Sequence, residues 1–390
     1  MFLSENADSL KEKWSPVLEH ADLPAINNTT RRDITTRLLE NQETSLQEDA
    51  VVAGGMQNWD PILISLVRRS VPQMLAYDTV GVQPMTGPTG LIFYMKSYYT
   101  NAAGAEQFEP GVKPNTAHSG PHATSDAEAL GGFITGGAAW NEMTFGIEKT
   151  SVEAKSRALK AKYSTELAQD LKAIHGLDAE AELASILSNE ILQEINWEVI
   201  DAVDAAAKAG AQTGVTTAGT FDLADTLDND NARWGGERYK SLITQINKEA
   251  NIIAKETGRG AGNFLIVSAD IASILDMTSG LATDSAAVST GMQTDVTQGL
   301  MAGVLGGKYK VFVNPYAPAN TVTVGYKGSS EMDAGIFYCP YVPLQMMKST
   351  GEEDFQPRIG FKTRYGMKTN PFAGAAGANQ YYRKFTVANV

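Results

Sequence analysis

"LDAEAELASILSNEILQEINWEVIDAV", residues 177 to 203, places an apolar side chain at Leu183, Leu187, Ile191, Ile195, Val199 and Val203. Four-residue spacing held over about five turns keeps one stripe on one face of a helix. Ile186, Leu192 and Ile200 flank that stripe. Asp178 is placed to cap the helix, and Glu180 and Glu182 fall in its first turn, where the dipole favours anions. At ~1.5 Å per residue the helix is about 40 Å long, enough to be the backbone of a subunit.

Upstream, Val152 to Ile174 is expected to form a first helix, stopped by glycine at His175-Gly176. Before it, "LIFYMKSYY" (Leu91 to Tyr99) and "EMTFGIEKT" (Glu142 to Thr150) have strand composition. About forty residues separate them, roughly half of them Gly, Ala or Pro. A structureless insert of that length usually marks a functional or partner-ordered loop. The expectation is an extended β-hairpin reaching away from its own core. Further upstream, "DPILISLVRRSVPQMLAYDTVGVQPMTGPTG" (Asp60 to Gly90) opens with an N-cap and a first-turn proline. Arg68 and Arg69 fall near the end of that short helix, and Pro72, Pro84 and Pro88 forbid a longer one. This is an arm of short helix and extended chain.

Downstream, the character changes at about Ala211. "TQINKEANIIAKETGRGAGNFLIVSADIASIL" reads helix, glycine turn, buried strand, helix. "YKVFVNP", "TVTVGYKG" and "AGIFYCPYVPL" are further strands, and "FQPRIGFKTRYGMKTNPF" and "QYYRKFTVANV" close the chain as strands. The whole is α+β, without internal repeat.

The chain has 390 residues, of which 43% are hydrophobic, and a formal net charge of −13. It can bury a substantial core. It is poorly suited to wrapping nucleic acid, which needs clustered Lys and Arg. Its one cysteine, Cys339, excludes an internal disulfide and, in an apolar strand, is expected to be a buried small hydrophobe. "MFLSENADSLKEKW" has neither the basic nor the apolar region of a signal peptide, and no apolar run approaches membrane-spanning length. A soluble chain made in the cytoplasm is expected.

Catalytic motifs fail on inspection. "GRGAG" (Gly258 to Gly262) follows a helix and opens a strand, the reverse of a dinucleotide fingerprint. An EF-hand loop starting at Asp228 would need Gly and Glu where Arg233 and Tyr239 stand. His118 and His122 lie in a Gly/Pro-rich loop that cannot be a helix, and His20 and His175 stand apart. There is no G-x-S-x-G and no G-x-x-x-x-G-K-[ST]. No catalytic residue, cofactor or metal is assigned.

Residues 1–48 are polar and helix-prone, with little that could form a core. They end in "TRLLENQETSLQEDAVVAGG" (Thr36 to Gly55), which sets Leu-x-Glu twice, at Leu38-Leu39-Glu40 and Leu46-Gln47-Glu48, before the chain turns apolar and glycine-rich. Leu10-Lys11-Glu12 and Leu192-Gln193-Glu194 share the pattern. A surface helix or a processing step would both suit it. A protease needs extended, accessible chain, so the copy inside the long helix should be protected.

Several stretches carry a resemblance. "KWSPVLEH" (Lys13 to His20), "DPILISLVRRSVPQMLAYDTVGVQPM" (Asp60 to Met85), "ELAQDLKAIHGLDAEAELASILSNEI" (Glu166 to Ile191), "KETGRGAGNF" (Lys255 to Phe264) and "FQPRIGFKTRYGM" (Phe355 to Met367) resemble the major capsid proteins of T4-like tailed bacteriophages. These are HK97-fold shell proteins. The resemblance implies a cleaved, scaffold-like N-terminal propeptide over residues 1–48, an N-arm over 49–84 and an E-loop hairpin over 85–150. It implies the P-domain spine helices over 151–210, an A-domain over 211–345 and P-domain return strands over 346–390.

The same resemblance implies hexameric capsomers in an icosahedral shell enclosing double-stranded DNA without specific binding. A vertex protein, a prohead protease, a scaffold and decoration proteins would be the partners. Proteolysis is then expected after Glu48, at Leu46-Gln47-Glu48 before Asp49, with Leu38-Leu39-Glu40 as the fallback. Related large members carry an inserted lobe near the E-loop, for which this chain is too short. Lys–Asn crosslinking through Lys96, Lys113 and Asn115 is not expected. The alternatives are a pentameric vertex paralogue, an encapsulin-type compartment and, from another class, a soluble α/β enzyme with an acidic site near Asp222 to Asp230. The enzyme should stay a small oligomer and order residues 100–139 without neighbours.

Overall fold

The computed structural model describes residues 2–19, 26, 28–52, 74–99, 124, 142–176, 179–224, 235–277, 281–282, 300–318, 320–351, 356–371, 373–374 and 377–390. The helix expected from Asp60, nearly all of the loop from 100 to 139, His20, His118, His122 and the acidic turn beyond Ala224 lie outside them.

Two N-terminal helices come first, α1 (Phe2–Leu18) and α2 (Thr29–Val52), followed by the short α3 (Ala76–Thr79) and β1 (Gly81–Val82). The hairpin strands β2 (Thr89–Tyr99) and β3 (Met143–Glu153) pair antiparallel from Thr89↔Glu153 to Tyr99↔Met143. They carry the two stretches expected as strands. After β4 (Lys155–Lys162) come α4 (Thr165–His175) and the spine helix α5 (Ala179–Ala206).

The helix expected over Val152 to Ile174 is corrected: only its C-terminal part is helical. Arg157, Leu159 and Ala161 alternate with exposed neighbours, and β4 pairs with β13 (Pro357–Thr369) from Lys155↔Tyr365 to Lys162↔Arg358. Helix α4 starts only at Ser164, whose side chain accepts the Leu167 N–H at 3.2 Å. Gly176 ends it in the left-handed conformation, φ 67°, a region that costs glycine nothing. On α5 the anticipated stripe is buried at Leu187, Ile191, Ile195, Val199 and Val203, while Ile186 is exposed.

The lobe begins with β5 (Ala207–Ala209) and β6 (Thr220–Asp222). It continues through α6 (Gly235–Thr257), β7 (Phe264–Ser268), α7 (Ala269–Met277), β8 (Leu281–Ala282), β9 (Leu300–Leu305), β10 (Tyr309–Asn314) and β11 (Thr321–Gly325). The long strand β12 (Ile336–Thr350) follows, and the described strands end with β14 (Asn379–Ala388). "GRGAG" is the α6-to-β7 turn, as its position implied.

One sheet has order β1-β12-β13-β4, and the larger has order β5-β14-β11-β7-β10-β9-β8, with β6 also pairing β14. The last strand therefore departs from the expected grouping of 346–390. It joins the larger sheet because Phe385 and Val387 fill the lobe core, whereas Tyr381 and Tyr382 fill the core beneath α5. One strand thus ties the two cores together. Buried Glu249 on α6 reinforces the tie: its Oε2 accepts from Arg383 at 3.1 Å and its Oε1 from the Ala211 N–H at 2.9 Å. A third, small cluster of Met85, Ile92, Val152, Phe337 and Cys339 sits at the hairpin base. Cys339 is buried there, and burial pushes its thiol up to about 12.

The N-terminal segment overturns one expectation. It is helical, but it also has a core: Trp14, Leu18, Ile34, Leu38 and Leu39 are buried in the same cluster as the spine helix and β12. The buried face of α2 includes Thr35, Thr36, Gln42 and Ser45 beside Leu38 and Leu39. With Ile34, four of the seven buried residues on that face are polar, so no apolar stripe is visible in the sequence.

Candidate functional site

Two features stand out: the hairpin and the docked N-terminal helices α1 and α2, the segment for which the resemblance implies cleavage and which is called the leader below. Directly opposed residues of an antiparallel pair point to the same side. Leu91, Phe93, Met143, Phe145 and Ile147 thus share one face of the hairpin, and all five are exposed, Phe145 by 67% and Ile147 by 64%. The other face is anchored at its near end by Ile92 and Val152, both buried. Lys149 and Ser151, opposite Phe93 and Leu91, share this face, so the apolar residues form a diagonal stripe along the ribbon, and exposed apolar surface of this kind marks a candidate contact surface.

The leader is held by polar contacts as well as by its core. Trp14 Nε1 donates to Glu40 Oε2 at 3.0 Å, and Lys13 Nζ donates to the same oxygen at 2.8 Å, joining α1 to α2. Arg31 pairs with Asp78 at 2.8 Å, and Asp78 also accepts from Lys310 at 2.8 Å, so leader, α3 and lobe meet at one carboxylate. Along β12, Asn41 Nδ2 donates to Tyr341 O at 3.0 Å, Gln42 Oε1 accepts the Leu344 N–H at 3.4 Å, and Gln345 donates to Ser45.

Burial pushes Asp78 and Glu40 upward, but Arg31 and Lys310 on Asp78, and Lys13 and Trp14 on Glu40, outweigh it and hold both carboxyls below their ordinary values. A lowered folded value contributes stability above the unfolded carboxylate range, and that contribution is lost as pH falls through the folded values. Leader docking is therefore expected to be constant near neutrality and to weaken below about pH 4. Hydrogen exchange of the α2 amides along a pH series checks this, corrected for intrinsic exchange rates; unchanged protection at low pH would contradict it.

The four residues expected at the processing step, Leu46, Gln47, Glu48 and Asp49, lie in the C-terminal part of α2, which runs on to Val52. The fallback at Leu38-Leu39-Glu40 is built into the core, with Leu38 and Leu39 at most 1% exposed and Glu40 engaged by Lys13 and Trp14. Leu192 to Glu194 lies within the spine helix, where Glu194 accepts from Arg157. All the copies are thus helical, but helix ends fray first and deep turns last. Asn41, Gln42 and Ser45 escaped the sequence reading; polar residues three and four apart beside Leu38 and Leu39 were the available signal.

A cavity of about 360 Å³ lies between β4, α5 and β13, lined by Glu153, Lys155, Arg157, Glu198, Tyr365 and Met367. Arg157 donates to Glu194, to Glu198 and, at 3.0 Å, to Tyr365 Oη, which makes this an ion-paired brace. Among the described residues no His, Cys, Asp and Glu group could hold a metal, and no helix is long and apolar enough to cross a membrane.

A family model described as Major capsid protein Gp23 matches residues 56–130 and 113–387. The chain is 36% identical over 513 residues to the major capsid protein of Vibrio phage KVP40, covering 97% of this chain and 99% of that one. It is 36% identical over 482 residues to the major capsid protein of Enterobacteria phage T4, covering 94% and 92%. The T4 capsid vertex protein is 28% identical over 64% of this chain. Among solved structures, the capsid of Myoviridae phage XM1 superposes with a TM-score of 0.41 at 11% identity, covering 80% of this chain and 92% of that one. The class is thus that of a capsid protein, a structural component of the virion and not an enzyme. The chain belongs to the Major capsid protein Gp23 family and forms the phage head shell. The alignments exceed its 390 residues, so the KVP40 and T4 relatives carry inserted chain that it lacks.

Proposed function

We propose that this chain assembles as hexameric capsomers of an icosahedral head around double-stranded DNA, and that proteolysis after Glu48 removes the leader. The observation that carries this is the exposed apolar face of the hairpin, Leu91, Phe93, Met143, Phe145 and Ile147. Laid on an adjacent subunit, that face buries surface that its own subunit leaves bare. Permanent interfaces of this kind bury a few thousand Å², on the order of 2,000–5,000, and closed symmetry repeats the contact around the shell. The net charge of −13 limits adhesion to the enclosed DNA. A vertex protein, scaffold, prohead protease and decoration proteins are the proposed partners. The proposed parts are the leader 1–48, N-arm 49–84, E-loop 85–150, spine region 151–210, A-domain 211–345 and return strands 346–390, with β14 crossing back to the lobe sheet.

Cutting between Glu48 and Asp49 requires the last turns of α2 to unwind, and their place at the helix end makes this copy cheaper to open than those at Leu38 and Leu192. Electron microscopy of the full chain beside the 49–390 fragment tests assembly, and intact mass of the chain after exposure to the phage protease tests the cut. Hexameric rings, tubes or shells are expected, with a mass corresponding to loss of residues 1–48. A monodisperse monomer or dimer would overturn the assembly reading, and an uncut chain or a different terminus would overturn the site.

A further inference from the structure

The ladder between β12 and β13 slips twice, between Pro340 and Val342 and between Val342 and Gln345. Such slips leave backbone groups without a cross-strand partner, and an unpaired buried group is costly. The leader supplies partners at both slips. Asn41 Nδ2 donates to Tyr341 O, and Gln42 Oε1 accepts from the Leu344 N–H. The second contact of Asn41 reaches further: the same Nδ2 donates at 2.8 Å to Met85 O.

Met85 is the last buried residue before the hairpin. Its N–H donates to Pro340 O at 2.9 Å, and its side chain packs with Ile92, Val152, Phe337 and Cys339 at the hairpin base. Gly90 lies so close to the Met85 thioether that an added Cβ would stand 2.7 Å from Cγ and Sδ. The absence of a side chain at Gly90 lets the Met85 thioether lie against the start of β2, where Met85 packs with Ile92 and Val152. One amide nitrogen thus joins the leader, the irregular part of β12 and the pivot of the hairpin.

We infer that Asn41 is a positioning residue through which the uncut leader fixes the angle of the hairpin. Release of the leader frees Met85 O and Tyr341 O together and lets the hairpin swing about its base. This rests on the leader being removed, but the clip itself acts in the uncut chain, so the two can be separated. Before release the apolar hairpin face is aimed in one direction, and after release it can adopt another on its neighbour.

The test uses the full chain with spin labels at Lys149→Cys on β3 and Asn189→Cys on α5, both exposed, diluted in excess unlabelled chain so that pairs within one subunit dominate; buried Cys339 stays unlabelled. Pulsed electron–electron distances are compared for Asn41, Asn41→Leu and Asn41→Asp, and for a chain whose residues 46–49 are replaced by a site cut by a sequence-specific protease. One narrow distance is expected for Asn41. A shifted or broadened distribution is expected for both substitutions, matched by the cut chain after its leader has been stripped off in mild denaturant and separated from the refolded body. Amide exchange in Thr89–Ile92 should rise roughly tenfold in the same samples.

Folded substituted chains with the parent distance would overturn the inference, whatever the natural protease does. If the substitutions prevent folding, the cut chain decides: an unmoved hairpin after leader loss overturns the inference, and a moved one supports it. A natural cut at another position would overturn only the processing site.

Discussion

Glu249→Ala is expected to lower the stability of the chain by about 3–5 kcal/mol, the range for removing one partner of a buried ion pair. Glu249 is 1% exposed and its two oxygens serve three donors. Oε1 takes the Ala211 N–H and the Gln245 amide, each at 2.9 Å, and Oε2 takes Arg383 at 3.1 Å. Ala211 sits at φ 47°, a strained conformation for a residue with a Cβ, and this carboxylate holds its N–H. Alanine would leave that N–H without its acceptor. Arg383, 5% exposed, would keep Glu256, 2.7 Å away, as its carboxylate partner among the described residues.

Glu249→Gln should cost less, because it keeps an acceptor for Ala211 while losing the charge. Glu256→Ala should also cost less, because that side chain is more exposed. Denaturant unfolding of the three variants beside the parent ranks them. A Glu249→Ala loss within about 1 kcal/mol of the parent would mean that the contact is not the joint between α6 and β14.

Much of this architecture is legible from pattern alone. The spine helix announces itself because Leu187, Ile191, Ile195, Val199 and Val203 repeat at one spacing, and a helix with one buried side needs nothing more. The hairpin strands are visible because aromatic and branched residues run together on both sides of a Gly/Ala-rich insert. Other parts are decided by partners far along the chain. "KSRALKAK" has no intrinsic reason to be a strand, and becomes one because β13 offers it an edge two hundred residues later. "QYYRKFTVANV" looks like any closing strand, and only the two cores it fills place it in the larger sheet.

The leader was the harder case. Its helices were foreseen, but the buried face of α2 mixes Leu38 and Leu39 with Thr35, Thr36, Gln42 and Ser45, and such a face looks like solvent-exposed helix in one dimension. Gln42 is inside because β12 presents its Leu344 N–H there and Ser45 because it takes the Gln345 amide, whereas the Thr35 and Thr36 hydroxyls are satisfied within α2 by the Arg31 and Arg32 carbonyls. The Leu-x-Glu step was legible as a tripeptide but not as a site, since the tripeptide occurs five times and only the structure shows which copies lie deep in a helix.

The second large effect lies in that leader. Leu39 is fully buried, and Leu39→Ala should weaken leader docking by about 2–5 kcal/mol through lost burial and the cavity left behind. The body of the subunit loses only the contacts Leu39 made with it. The consequence appears after the chain is cut. A leader severed at residue 48 is still held by Trp14, Leu18, Ile34, Leu38 and Leu39 in the core and by Arg31 on Asp78. If the proposed cut is made, these contacts are expected to hold the severed segment until they let go.

At about 3 kcal/mol, Leu39→Ala should weaken the hold of the severed leader roughly a hundredfold. Size-exclusion chromatography of cut chains, with mass spectrometry of each peak, reads this directly. The parent should carry residues 1–48 along with the body, whereas cut Leu39→Ala should run as the body alone with the leader trailing. If the parent loses its leader as completely as the variant, the buried leucines are not what retains it. Release would then follow the cut itself, and the leader would act only as long as it is covalently attached.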